Sequence, residues 1–309
     1  MTEVLANHRQ PRLDDLAAVL ASCREIFQTM WALDFHEPSS NRPSAAWSDF
    51  QMIMTGPGRA MWPMDLNRQP RSVAVKLLHQ QADYCFALGL LIEAGEGGDP
   101  AATLTRSIVE YGARGFWLLD PDPEVDHRGR CARAVLFELV SLAHAREAAS
   151  HMPDTPEHRQ HRARAKAAFK KMKAVAEAGF ADVSLIDEPA RWTVEGQRYA
   201  SWTEITQSWA EAHRTGVSGA ALYRLLSVLG HPQGFSATFG LRFDTGGTGV
   251  RTIPIDRVEK LVRVALAAYY SALTLLATYT GHRPKELMAW EDRLEAVLPG
   301  FFTPEPLAS

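Results

Sequence analysis

The stretch Asp99-Pro-Ala-Ala-Thr-Leu-Thr-Arg106-Ser-Ile-Val-Glu110-Tyr-Gly-Ala-Arg114-Gly-Phe-Trp-Leu-Leu119-Asp-Pro121 decides the fold class. Asp-Pro is a helix start: the carboxylate accepts hydrogen bonds from the free first-turn N–H groups, and proline at the next position lacks only an N–H that has no partner there. A long run without proline follows, apolar on nearly every side. Pro121 then ends it by disfavouring helical geometry in its predecessor. The same grammar recurs at Thr155-Pro156-Glu157, which opens a helix to Glu177 before Gly179.

Working outward, Pro11 opens a helix to about Leu33, with Leu16, Val19, Leu20, Cys23, Ile26 and Met30 at helical spacing. Ser72 reads as the cap of a helix reaching Ala94, stopped by Gly95. Further helices are predicted over 123–151, 201–213, 218–230, 256–279 and 284–297. Residues 35–70 are rich in Pro, Ser, Asn and Gly and are expected to be irregular, with a short helix over 45–54. Residues 180–200 read as a loop. Phe239-Gly-Leu-Arg-Phe-Asp and Gly249-Val-Arg-Thr-Ile flank Gly246-Gly247, which predicts one short β-hairpin near 235–253 and strand nowhere else. The expectation is therefore an all-α chain: an antiparallel helical bundle of about eight helices built as one domain over 1–309, its core within 72–281.

Composition narrows function only by exclusion. A net charge of −3 gives no global attraction to nucleic acid, so a polyanion would need a local basic patch. Cys23, Cys85 and Cys131 are odd in number and widely spaced, which suits neither a disulfide scaffold nor a zinc site. The N-terminal residues lack the apolar run of a secretory signal. The uncharged run Val264–Gly281 carries Tyr269, Tyr270, Ser271, Thr274, Thr278, Tyr279 and Thr280, too many hydroxyls for a lipid-facing helix. A core helix in a cytoplasmic protein, with no membrane partner, is expected. No Walker loop, Rossmann fingerprint, G-x-S-x-G or H-E-x-x-H occurs, so no cofactor or metal is called for.

Four constellations carry chemistry. Tyr223, Ser227 and His231 fall at i, i+4 and i+8 with Arg224 on the same side, placing a helix-terminal imidazole beside a fixed cation. Arg106, Glu110 and Arg114 lie on the apolar helix, where a carboxylate is either ion-paired with arginine or a functional acid. His144, Glu147 and His151 could share a face as metal ligands, but lack the second Glu-x-x-His copy of a di-metal bundle, and a solvated face is the expectation. Arg159, Arg162, Lys166, Lys170 and Lys173 form a basic stripe opposite Ala165, Ala168, Met172 and Val175, able to track a phosphate backbone or simply to keep the helix solvated.

Arg224 and His231, with six residues between them, resemble the R-x(4–6)-H motif of the HEPN superfamily (higher eukaryote and prokaryote nucleotide-binding domains). The wording Tyr-Arg-x-Leu-Ser-x-x-x-His, preceded by the 106–121 stretch, is similar to helical actinobacterial proteins loosely tied to that superfamily. The resemblance spans roughly 72–281. It implies a metal-independent ribonuclease or RNA-binding effector in which His231 is general acid and base, Arg224 stabilises the phosphorane, and Tyr223, Ser227 and Glu110 support them. It also implies a homodimer. The alternative is a small-molecule-binding protein or an enzyme of specialised metabolism, with an enclosed pocket lined by Glu110, Tyr223, His231 and tryptophans.

Overall fold

The structure, a computed structural model, describes residues 2–35, 37–39, 44–55, 64–95, 98–122, 124–212, 219–230 and 254–302. Of these, 79% are helical. The helices are α1 (Thr2–Ala32), α2 (Ala45–Thr55), α3 (Met64–Glu93), α4 (Asp99–Leu119), α5 (His127–Ser150), α6 (Pro156–Gly179), α7 (Trp202–Ala212), α8 (Gly219–Gly230), α9 (Ile255–Thr280) and α10 (Lys285–Val297). The fold class expected from the capping signals is the one found. The segment named as a hairpin, 235–253, lies outside the described residues, as does His231.

Contacts divide the chain into two compact units, each assembled from separated segments. Unit 1 comprises Met1–Arg42, Val75–Trp117 and Trp202–Ser309, and unit 2 comprises Pro43–Ala74 and Leu118–Ser201.

In unit 1, α9 supplies the centre: Val262, Leu266, Tyr269 and Leu273 are fully buried. It is long and apolar enough to cross a bilayer, and 56% of its most apolar window is covered by the surrounding helices. Its hydroxyls find partners inside the protein. Tyr269 Oη donates to Cys23 O at 2.8 Å, and Ser271 Oγ accepts from Trp209 Nε1 at 2.8 Å. Trp290 on α10 donates to Ser22 Oγ on α1 at 2.7 Å, so the buried rings of Trp209, Tyr269 and Trp290 each spend a polar atom on a neighbouring helix. Where α4 meets α9 the chains approach closely: a Cβ on Gly112 would lie 2.6 Å from Gln81 Nε2 and 2.8 Å from Ala268 O. Gln81, wholly buried, donates there to Ile108 O at 2.8 Å.

Unit 2 is built on the antiparallel pair α5 and α6, whose facing residues Val135, Leu136, Leu139, Phe169 and Ala176 form a core with Leu66, Phe180 and Trp192. Asp126 caps α5 by accepting from Gly129 N at 2.7 Å, and Thr155 caps α6 by accepting from His158 N at 3.2 Å. The segment read as a loop, 180–200, instead holds a small antiparallel sheet in the order β1 (Val183–Ser184), β2 (Thr193–Val194), β3 (Gln197–Arg198). Strand is thus not confined to the 235–253 region. Each strand has two residues, too few to display an alternating pattern, and the β2–β3 turn is Glu195-Gly196, both at positive φ (49° and 71°). That is the two-residue hairpin geometry, with glutamate where asparagine or aspartate is the usual signal.

Helices α1 and α3 both begin earlier than expected, at Thr2 and Met64, so Pro11 lies within α1 and does not open it, Ser72 is not the cap of α3, and Pro70 lies within α3. Proline removes the bond that would reach the carbonyl four residues back, which is Leu66. The Cys131 thiol on α5 donates to that carbonyl at 3.3 Å. The orphaned acceptor is satisfied by a side chain, and the helix passes through the proline.

Candidate functional site

Glu110 on α4 accepts from Arg106 Nε at 2.8 Å, and Arg106 Nη2 donates to Tyr223 Oη on α8 at 3.1 Å. The guanidinium also lies 5.3 Å from the Tyr223 ring centre. Two residues from separate constellations, 113 positions apart, are thereby joined through Arg106. The Glu110 and Arg106 side chains are 18% and 21% exposed, so the carboxylate is paired as expected but its burial is incomplete. Burial works against the Arg106 charge, yet the bonds to Glu110 and Tyr223 hold it more firmly protonated than usual. With both charges matched, the group's evident work is to orient α8 on α4.

Along α8, Leu222 and Leu226 are buried, Tyr223 and Ser227 are half-buried, and Arg224 is exposed. Tyr223 and Ser227 share a side, as their spacing requires. Arg224 is turned to solvent, free to meet a large ligand from outside. Its motif partner, His231, falls outside the described residues.

Arg114 is fully buried, with its guanidinium 5.0 Å from the Trp117 ring centre and 4.6 Å from that of Trp202. His144 and Glu147 are exposed and 3.9 Å apart at i, i+3. Among the described residues no group of three or more His, Cys, Asp or Glu is placed to hold a metal ion.

The basic stripe lies on the outer face of α6. Arg159, Lys166, Lys170 and Lys173 are exposed and Arg162 half-exposed, while Phe169 and Ala176 on the other face are buried. The stripe is not uniformly open. Arg159 and Arg162 both pair with Asp154, and Lys173 stands 3.5 Å from Glu177, so the least engaged stretch is its middle, Lys166 to Lys170. Lys171 and Arg164, also exposed, widen the positive face.

A cluster that spacing alone did not single out joins α2 to α5. Asp49 accepts from Arg130 Nη2 at 2.9 Å on each carboxylate oxygen, and lies 3.2 Å from His127 Nδ1; His127 Nε2 is 3.5 Å from Cys131 Sγ. The order carboxylate, imidazole, thiol is that of a cysteine-nucleophile relay. The environment is not. All four side chains are buried, and burial pushes the Cys131 thiol well up, so it stays a neutral donor to Leu66 O. His127 and Cys131 do stand at i, i+4, but Asp49 comes from a helix 78 residues earlier, which no local pattern connects.

No protein family, curated protein or solved structure matches this chain.

Proposed function

We propose that this chain is an RNA-binding protein that holds a sugar–phosphate backbone along the outer face of α6, with metal-independent cleavage at Arg224 and His231 as the chemistry it directs. The observation that carries the reading is the exposure of the 159–173 stripe on a helix whose opposite face is packed. Its cations rise about 5 Å from one to the next along the axis and point to one side, the arrangement that exchanges condensed counterions for a polyanion. Arg224 supports the reading because an exposed guanidinium can reach a phosphate with its bidentate fork. In the proposed reaction His231 takes the 2′-hydroxyl proton, Arg224 steadies the charge on the phosphorane, and a second protomer completes the site.

Retention of a fluorescent RNA by the full chain, measured across a salt series, tests binding. Affinity should fall steeply with salt, and Lys166→Glu with Lys170→Glu should weaken it at every sequence and flatten the slope. Cleavage is tested in EDTA, where products should end in 2′,3′-cyclic phosphate and His231→Ala should lose activity by about 10²–10⁴-fold. Arg224→Lys should be severely impaired, since an ammonium lacks the fork. RNA affinity unchanged by the double charge reversal would overturn the binding reading; wild type and His231→Ala behaving alike would overturn the cleavage reading.

A further inference from the structure

Helix α6 presents two rows of cations to solvent, and the stripe is only one of them. At about 100° per residue, Lys166, Lys170 and Lys173 fall within about 60° of one another around the helix and form the first row. Arg164 and Lys171, both exposed, lie about 140–160° round from Lys166 and form the second. Between the rows run Ala163, Ala167, Ala174 and Ala178, also exposed. Phe169 and Ala176, on the opposite side, are buried, so the alanines mark the outermost line of the helix.

The central cations are unneutralised. Asp154 and Glu177 pair with Arg159, Arg162 and Lys173 at the ends of the stripe, whereas among the described residues no carboxylate stands within ion-pair distance of Arg164, Lys166, Lys170 or Lys171. Arg146 of α5, exposed and with its guanidinium 4.5 Å from the Phe169 ring centre, adds a further cation on the side of the first row.

Two rows set so far round a helix roughly 10–12 Å across lie about 10 Å apart. A single strand has one line of phosphates and meets one row, whereas a double helix borders each groove with two. Depth decides which groove fits. The inner face of α6 is packed on α5, so about half the helix diameter, roughly 5 Å, stands proud. The major groove of DNA is about 8.5 Å deep and is read by polar side chains on the crest of an inserted helix. The crest of α6 is alanine. The A-form groove that displays the 2′-hydroxyls is wide and shallow, and proteins recognise it mainly through sugars and phosphates. A low crest there lets the cations on each side reach the phosphates bordering it.

Resting on the RNA reading above, we propose that this face of α6 binds double-stranded RNA along its shallow groove, with Lys166 and Lys170 on one strand and Arg164 and Lys171 on the other. Recognition is by shape and charge, without sequence preference.

The test compares retention by the full chain of an RNA duplex of about 16 base pairs, one of its strands alone, and a DNA duplex of the same sequence, across a salt series. The RNA duplex should bind tightest. Arg164→Ala with Lys171→Ala should reduce its salt slope by about 2 and leave that of the single strand unchanged, since only a duplex engages both rows. Melting curves should match wild type because both side chains are exposed. Duplex RNA held no more tightly than the single strand, or a duplex slope unmoved by loss of the second row, overturns the proposal; the RNA reading then stands if Lys166→Glu with Lys170→Glu still weakens the single strand. DNA bound as tightly as duplex RNA also overturns it, leaving a general polyanion surface. Retention of no RNA at all overturns both.

Discussion

At the scale of single residues, the Pro70, Leu66 and Cys131 relation makes a sharp expectation. Replacing Cys131 by Val removes the donor to a buried carbonyl, and an unmet acceptor costs about 1–3 kcal/mol. Pro70→Ala should recover part of that loss in the Cys131→Val background by restoring a backbone N–H, so a double-mutant cycle in urea should show coupling. Additive effects would reject the account. Two glycines of α4 make a second pair. Alanine normally stabilises a helix by about 1 kcal/mol over glycine, and at Gly115 nothing lies within 4 Å of the new Cβ, so Gly115→Ala should raise the melting temperature. Gly112→Ala should lower it, at a cost of about 1–3 kcal/mol in stability, because one obstructing atom is the Ala268 backbone oxygen at 2.8 Å. Glu195 supplies a pH dependence. The Arg128 guanidinium, helped by the N–H groups of Ala181 and Asp182 and opposed by burial, holds its carboxyl below the usual glutamate range. A depressed native pKa contributes stability above the ordinary range and loses it as pH falls through the native value. Melting curves from neutral to acid pH should therefore converge for wild type and Glu195→Gln, with wild type the more stable only at the upper end.

At the scale of elements, the sequence was legible where local chemistry sets the boundary. Asp99-Pro100 at the start of α4, Thr155 immediately before α6 and Gly95 two residues after α3 mark those boundaries through groups within a turn of the terminus. The start of α3 was illegible because the compensation for Pro70 comes from Cys131, on another helix. The three short strands were illegible because a two-residue strand has no period. Helix α6 joins the two levels: its caps predict where it lies and its stripe predicts what faces out. Thr155→Ala should cost about 1 kcal/mol by freeing His158 N, and, being distant from Lys166–Lys170, should leave RNA affinity unchanged. Loss of affinity in that variant would mean that the stripe works through helix order and not through its charges.

For the molecule as a whole, the candidate site was legible as residues and not as a constellation. Glu110 and Tyr223 were each singled out, but their link through Arg106 depends on how α8 lies on α4, and Asp49 with His127 depends on how α2 meets α5. Such pairings are set by packing between segments far apart in the chain, which one sequence does not display. The far-UV circular dichroism spectrum should be dominated by helix, given the share of described residues in α1–α10.

The segmental make-up of the two units has a consequence for synthesis. All of unit 2 has been made once residue 201 leaves the ribosome, whereas α1, made before it, packs against α9 and α10, made after it. Until α9 and α10 have been made, Ser22 and Cys23 on α1 lack the partners they have in the folded unit, Trp290 and Tyr269. The nascent chain must keep that face of α1 from aggregating until α9 and α10 emerge, so vectorial folding can complete unit 2 before unit 1.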